Sequence, residues 1–151
     1  MLNIQIEAHT ELTAELADKV SSLTAEISEL DNAQSIESIE ERLNNKTCLI
    51  LLAYVEGELA GFKLGYQTGE QCFYSWLGGV NADFRNIGLA KSMLEYQEKW
   101  AASQGFTPLE VKTRNQFKAM LNMLVANRYQ ITQVENHSNI AQNKLHLQKV
   151  L

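Results

Sequence analysis

Apolar positions along the chain change their spacing several times, and each change marks an element. Between Thr10 and Leu30, the residues Leu12, Leu16, Val20, Leu23, Ile27 and Leu30 recur at steps of three and four, the period of an amphipathic helix. Asp31-Asn32 is placed to end it. Ser35 then caps a second, short helix whose buried stripe is Ile36, Ile39 and Leu43, with Asn44-Asn45 as its stop. From Cys48 to Val55 the run is almost wholly apolar and reads as a buried strand. Glu56-Gly57 supplies a tight turn into a second strand, Leu59 to Tyr66, so the two form a β-hairpin.

Beyond a polar loop around Thr68-Gly69-Glu70, the aromatic segment Cys72 to Val80 reads as a central strand, with Gly78 and Gly79 standing out inside it. Helix spacing returns from about Ile87 to Gln104, where Ala90, Met93, Leu94, Gln97, Trp100 and Ala101 trace one face and Gly105 occupies the usual place just past a helix end. A strand from Leu109 to Thr113, a helix from about Gln116 to Ala126, and a closing strand pair, Ile131 to Glu135 and Lys144 to Val150, complete the order. Because the chain crosses from Val80 to Leu109 through a long helix, those two strands are expected to be parallel neighbours. The expected fold is thus α/β, a mixed sheet with helices on its faces, in one domain spanning residues 1–151.

Composition narrows the function classes. With 45% hydrophobic and 8% aromatic residues and a single proline, Pro108, the 151-residue chain can bury a core of its own. A net charge of −5 leaves no broad positive field for a nucleic acid. No window approaches the roughly 20 apolar residues that span a bilayer, and the first residues carry no basic segment followed by an apolar run, so a cytoplasmic protein with no membrane partner is expected. Cys48 and Cys72 lack metal or redox spacing, and His9, His137 and His146 are scattered, so no metal site is expected.

A helix that begins directly after a strand offers free backbone N–H groups and the positive end of its dipole, which suit a pyrophosphate. Arg85-Asn86-Ile87-Gly88-Leu89-Ala90 lies at that point. Gly88 lets phosphate oxygens approach the backbone, Ala90 leaves the turn unobstructed, and Arg85 adds charge. Gly78-Gly79 marks a bulge or a close backbone approach; the alternative is room for a bulky neighbour such as Trp76.

With Val80-Asn81-Ala82-Asp83-Phe84 before it, this segment resembles the phosphate-binding motif of the GNAT N-acetyltransferases, residue by residue except that Ala82 stands in the usual proline place. An asparagine after the following strand, Asn115, also matches. The resemblance runs over about the whole chain. It implies a mostly antiparallel sheet of six to seven strands with about four helices and a splayed central parallel pair. It implies acetyl-CoA as cosubstrate and a primary amine as acceptor, joined by direct attack. Gly78, Gly79 and Val80 would offer backbone groups to the pantetheine arm and the developing oxyanion, Arg85 to Ala90 would wrap the pyrophosphate, and Asn115 would contact the cofactor. A homodimer is expected from the same family habit and from the exposed edge of the closing strands.

Several members of the family place a glutamate on the strand that here carries Tyr74. Tyr74 is therefore a candidate for relaying a proton through water or for lining the acceptor pocket, with Glu110 of the next strand as the second candidate; core packing and a solvated carboxylate are the plainer alternatives. Leu124 takes the place of the family's acid tyrosine and Arg128 that of a glycine, so the thiolate is expected to leave unassisted rather than through Tyr96 or Tyr129. A non-catalytic acyl-CoA-binding sensor or scaffold is the alternative function.

Overall fold

The computed structural model describes residues 1–27, 30 and 33–151. The expected stop at Asp31-Asn32 lies outside the described residues. Seven strands form one sheet in the order β1-β2-β3-β4-β5-β7-β6, where β1 is Ile4–His9, β2 Cys48–Val55, β3 Glu58–Gln67, β4 Phe73–Val80, β5 Leu109–Arg114, β6 Gln130–Glu135 and β7 Lys144–Lys149. Four α-helices are seen among the described residues: α1 Ala14–Glu26, α2 Ile36–Leu43, α3 Leu89–Ser103 and α4 Lys118–Ala126. None is long and apolar enough to cross a membrane. The chain divides into two compact units, the first Met1–Tyr66 with Leu77–Gln97, the second Gln67–Trp76 with Glu98–Leu151.

In the first unit both helices open on side-chain caps, at Ser35 as the sequence indicates and at Thr13, which the sequence reading did not single out. Thr13 Oγ1 accepts from Leu16 N at 3.2 Å to open α1, and Ser35 Oγ accepts from Ser38 N at 3.0 Å to open α2. α1 is shorter than its apolar pattern suggested, because its regular turns end at Glu26 and Ile27 N then closes on Leu23 O. Thr24 Oγ1 accepts from Gln34 N at 2.9 Å and Ser21 Oγ donates to Gln34 O at 2.7 Å, which ties the end of α1 to the approach of α2. Leu49, Ile50, Leu51 and Leu52 of β2 are fully buried, each stabilising the fold by about 1.5–3 kcal/mol relative to exposure. Glu56 and Gly57 both have positive φ (50° and 80°), the signature of the two-residue turn that matches strand twist.

β1 is the element that periodicity did not reveal. Ile4-Gln5-Ile6-Glu7-Ala8-His9 alternates, but its residues are exposed or half-buried, as an edge strand allows, so the alternation carries little hydrophobic contrast. Its partner supplies the reason it forms: β2 needs a backbone ladder on its outer side, and residues Ile4 to His9 pair antiparallel with Val55 to Ile50.

In the second unit β4 and β5 are parallel, with Phe73, Tyr74 and Ser75 opposite Leu109, Glu110 and Val111. Phe73 anchors an aromatic cluster, its ring 5.3 Å from Trp100 and 5.2 Å from Phe106. Gly105, with φ of 84°, closes α3, since Phe106 N reaches back to Ala101 O and Gly105 N to Ala102 O. α4 closes the same way, with Tyr129 N on Leu124 O and Arg128 N on Val125 O, except that Arg128 holds φ of 74° where a glycine would rest without strain. The closing strands do not lie in chain order: β7 pairs with β5 along its whole length, and β6 becomes the outer edge.

One core position is anomalous. Gln97 on α3 is fully buried, yet its side-chain Nε2 and Oε1 find no hydrogen-bond partner among the described residues. An unpaired buried amide costs roughly 1–3 kcal/mol. Gln97→Met, nearly equal in length and free of polar atoms that need partners, is expected to raise the melting temperature by about 2–4 °C per kcal/mol recovered in a chain of this size. A lowered melting temperature would show instead that the amide is paired in solution.

Candidate active site

The end of β4 and the start of α3 build the first part of the site, all within the first unit. Eight residues, Asn81 to Gly88, separate strand from helix, so the helix does not follow the strand directly. Asn81 sets the path of this loop. Its N–H donates to Ala60 O at 2.8 Å, its Oδ1 accepts from Asp83 N at 3.0 Å to start a 3-10 turn at Ala82–Phe84, and its Nδ2 donates to Glu26 Oε2 at 3.1 Å. Arg85 Nε donates to Val80 O at 3.3 Å, which folds the guanidinium back along the loop.

Asn86 and Gly88 then take positive φ, 64° and 87°, on either side of Ile87. Alternation of hand along a backbone turns successive N–H groups toward one concave side, the geometry of an anion nest. Gly88 O accepts from Ser92 N at 3.0 Å as the first α3 bond, so the N–H groups of Leu89, Ala90 and Lys91 have no acceptor within the helix. A Cβ placed at Gly88 would meet nothing within 4 Å. The glycine is required by its backbone angle and leaves open space above the nest, while Leu89 faces the core, 2% exposed.

Gly78 and Gly79 sit against neighbours on opposite sides of β4. A Cβ at Gly79 would lie 2.8 Å from Ile27 Cδ1, and one at Gly78 would lie 3.3 Å from Phe62 O and 3.4 Å from Lys63 Cγ. The neighbour that needs the room at Gly79 is Ile27. Gly78 shares the face of Lys63 and Gly61, and a Cβ at Gly61 would be 3.3 Å from Met93 of α3.

In the second unit Tyr74 and Glu110 lie directly opposite each other across β4 and β5, both half-buried, on the face away from the Phe73 cluster. Burial and the nearby Glu110 carboxylate, which accepts from the thiol, push the Cys72 thiol above its ordinary range. Lys112 Nζ stands 5.3 Å from the centroid of the Tyr74 ring. Asn115 is tied to the loop before β7, its N–H donating to Asn143 O at 3.0 Å and its Nδ2 to Ile140 O at 3.2 Å. Two features here had no sequence signal, because only strand register brings their members together: Lys112 over Tyr74, and His146 hydrogen-bonded to Glu135.

Tyr129 is placed as a structural residue. It is 3% exposed, its hydroxyl donates to Glu98 Oε2 at 2.8 Å, and Lys149 Nζ donates to the same oxygen at 3.1 Å. Desolvation, and then the bond to Glu98, drive its phenol far above its ordinary range.

A family model described as "Acetyltransferase (GNAT) family" matches residues 13–125. The chain belongs to the GNAT acetyltransferase family. A Pectobacterium atrosepticum protein named as an acetyltransferase is 32% identical over 85 residues, covering 56% of this chain and 60% of that one. The chain thus spans about three-fifths of the length of that curated relative. Among solved GNAT-fold structures, the ribosomal-protein-S18-alanine N-acetyltransferase of Escherichia coli superposes with a TM-score of 0.80 at 11% identity, covering 97% of this chain and 94% of that one. A GNAT family acetyltransferase from Elizabethkingia anophelis with acetyl-CoA bound gives 0.72 at 20% identity, covering 99% of each. At these identities the structures establish the GNAT fold, including a seven-stranded, mostly antiparallel sheet with one parallel pair.

Tyr129→Phe is expected to keep any acetyl-transfer turnover within a few-fold, against the ~10²–10⁴ loss that follows removal of a working acid. A group whose folded pKa is raised contributes stability that is complete below its unfolded value, 10.0 for this phenol, and is lost as pH rises beyond it. The parent should therefore lose melting temperature above pH 10.0 more steeply than Tyr129→Phe. Equal slopes in the two proteins would show that the phenol is not so held.

Proposed function

We propose that the chain moves an acetyl group from acetyl-CoA to a primary amine by direct attack. The observation that carries this reading is the loop from Arg85 to Ala90, where the left-handed Asn86 and Gly88 turn backbone donors outward beside the unpaired N–H groups that open α3. A pyrophosphate complements such a loop because its negative charge meets oriented dipoles and the Arg85 guanidinium at once. The backbone of Gly78, Gly79 and Val80 is proposed to serve the pantetheine arm and the oxyanion that develops at the thioester carbonyl, and Asn115 to contact the cofactor.

On the acceptor side, an ammonium cannot attack until it loses a proton. Glu110 supplies a carboxylate that attracts the ammonium and receives or relays its proton, and Tyr74 lines the approach. Neither Cys48, which is buried and whose thiol burial pushes up, nor Cys72, raised by burial and Glu110, is suited to a covalent acetyl-enzyme step, because the thiolate is the reactive form. The CoA thiolate leaves without a dedicated acid, which a thiol of ordinary pKa near 8.5 tolerates at neutral pH.

The direct test follows free thiol while the protein is incubated with acetyl-CoA and a panel of amines, and measures acetyl-CoA binding by calorimetry. Amine-dependent thiol release is expected. Binding without release across the panel would favour a sensor. Gly88→Ala should weaken acetyl-CoA binding at least tenfold, about 1.4 kcal/mol, because the new methyl occupies the space above the nest. Its cost to folding should stay near the roughly 1–2 kcal/mol of one left-handed alanine. Unchanged affinity in the folded variant would remove the pyrophosphate from this loop.

We extend the proposal to a homodimer through the edge of the sheet. All six residues of β6 are exposed, with Ile131 at 51% and Val134 at 43%, beside an unpaired backbone edge. Sedimentation is expected to show self-association. A concentration-independent mass near the 17.0 kDa of one chain would refute it.

A further inference from the structure

The second unit presents a polar sheet face whose charge pattern describes the acceptor. Register puts Tyr74 beside Glu110 in one row, Lys112 beside His146 in the next, and Arg114 beside Lys144 in the third, with Glu135 next to Lys144 at the edge. The buried partners of these rows, Phe73, Leu109, Val111, Thr113, Leu145 and Leu147, alternate onto the opposite face. Three cations and two carboxylates thus share one face of a chain whose net charge is −5. The local balance opposes the global one.

The carboxylates are not equivalent. Glu135 is taken by His146, whose hydrogen bond, with Lys144 and Lys112 nearby, holds its carboxyl below the usual range against an opposing desolvation. Arg114 gives one N–H to Gln142 O at 2.9 Å. Glu110 stands apart from that group, half-buried beside Tyr74 and accepting only from the neutral Cys72 thiol among the interactions described above, and Lys112 is exposed over the Tyr74 ring one row further on. Two strand positions span about 6.5–7 Å, within the reach of a lysine side chain. Register therefore places a carboxylate-bearing and an ammonium-bearing residue two positions apart on one face, with the ammonium over the Tyr74 ring.

We propose that the acceptor is an amine that also carries a carboxylate, of amino-acid type, with Glu110 facing its ammonium and Lys112 binding its carboxylate. This rests on the acetyltransferase reading, with Tyr74 and Glu110 on the acceptor side. An amine bearing only positive charge would meet the surplus of Lys112, Arg114 and Lys144; a zwitterion places each charge against its opposite. Lysine serves as a point charge here, so one such contact sets a preference without demanding a single side-chain shape.

The test uses matched acceptors, each amino acid beside its own carboxamide, with thiol release from acetyl-CoA as readout. The parent is expected to favour the acids at least tenfold in kcat/KM. Lys112→Met should shrink the ratio of acid to amide by at least tenfold, with Lys112→Arg restoring most of it. Comparing ratios between variants cancels the different intrinsic basicities of the two amines, and a thermal melt confirms that each variant is folded. Equal use of acids and amides by the parent, or an undiminished ratio in folded Lys112→Met, would overturn the inference while leaving acetyl transfer standing. Thiol release from neither member of any pair, in a parent that binds acetyl-CoA, would overturn the acetyltransferase reading and this inference with it.

Discussion

The rest of the structure depends on the fact that two neighbouring parallel strands cannot be joined by a hairpin. From the end of β4 the chain must travel back before β5 can begin, and a helix is the compact way to do so with every interior backbone group paired. That requirement puts the first turn of α3 beside the end of a strand. The unpaired N–H groups of Leu89, Ala90 and Lys91 are a consequence of the crossover, and the positive φ at Asn86 and Gly88 aims the preceding backbone at the same space. The backbone geometry of this corner follows from topology and two backbone angles, and the Arg85 side chain is an addition to it.

The glycines divide according to what they are needed for. Gly61, Gly78 and Gly79 lack a Cβ because neighbouring atoms fill the space, whereas Gly88 faces open space and is needed for its angle. Strain of the opposite kind persists at Arg128, where the cap closing α4 keeps its full hydrogen bonding and its buried Tyr129–Leu124 pair despite a side chain that resists the conformation.

The second unit separates its two faces by function. Phe73, Trp100 and Phe106 pack together on one side, and the Tyr129–Glu98–Lys149 cluster joins the end of α3 to the start of β6 and the end of β7. That cluster buries Tyr129, and desolvation with the bond to Glu98 raises its phenol above the ordinary range. The other side carries titratable groups, with His146 hydrogen-bonded to Glu135 and Lys112 over the Tyr74 ring.

The caps, the apolar periods and the turn residues were legible in sequence because each is a local property. Thr13 escaped notice as the first cap, but Ser35, the Glu56-Gly57 turn, Gly105 and the parallel relation of β4 to β5 all follow from residues within a few positions of one another or from the length of a crossover. The proposed phosphate loop, Arg85 to Ala90, rests on the same kind of local signal. β1 was not, because an exposed edge strand has little contrast between its faces, and its formation depends on the ladder that β2 needs fifty residues later. Nor could local pattern place β7 inside β6, set Lys112 over Tyr74, join His146 to Glu135 or bury Gln97 without a partner. Sequence by itself determined which segments other than β1 become helices and strands, since those depend on the chain's nearest neighbours. Tertiary structure alone decided which side chains share a face and a charge environment, because strand register, and not distance along the chain, chooses those partners.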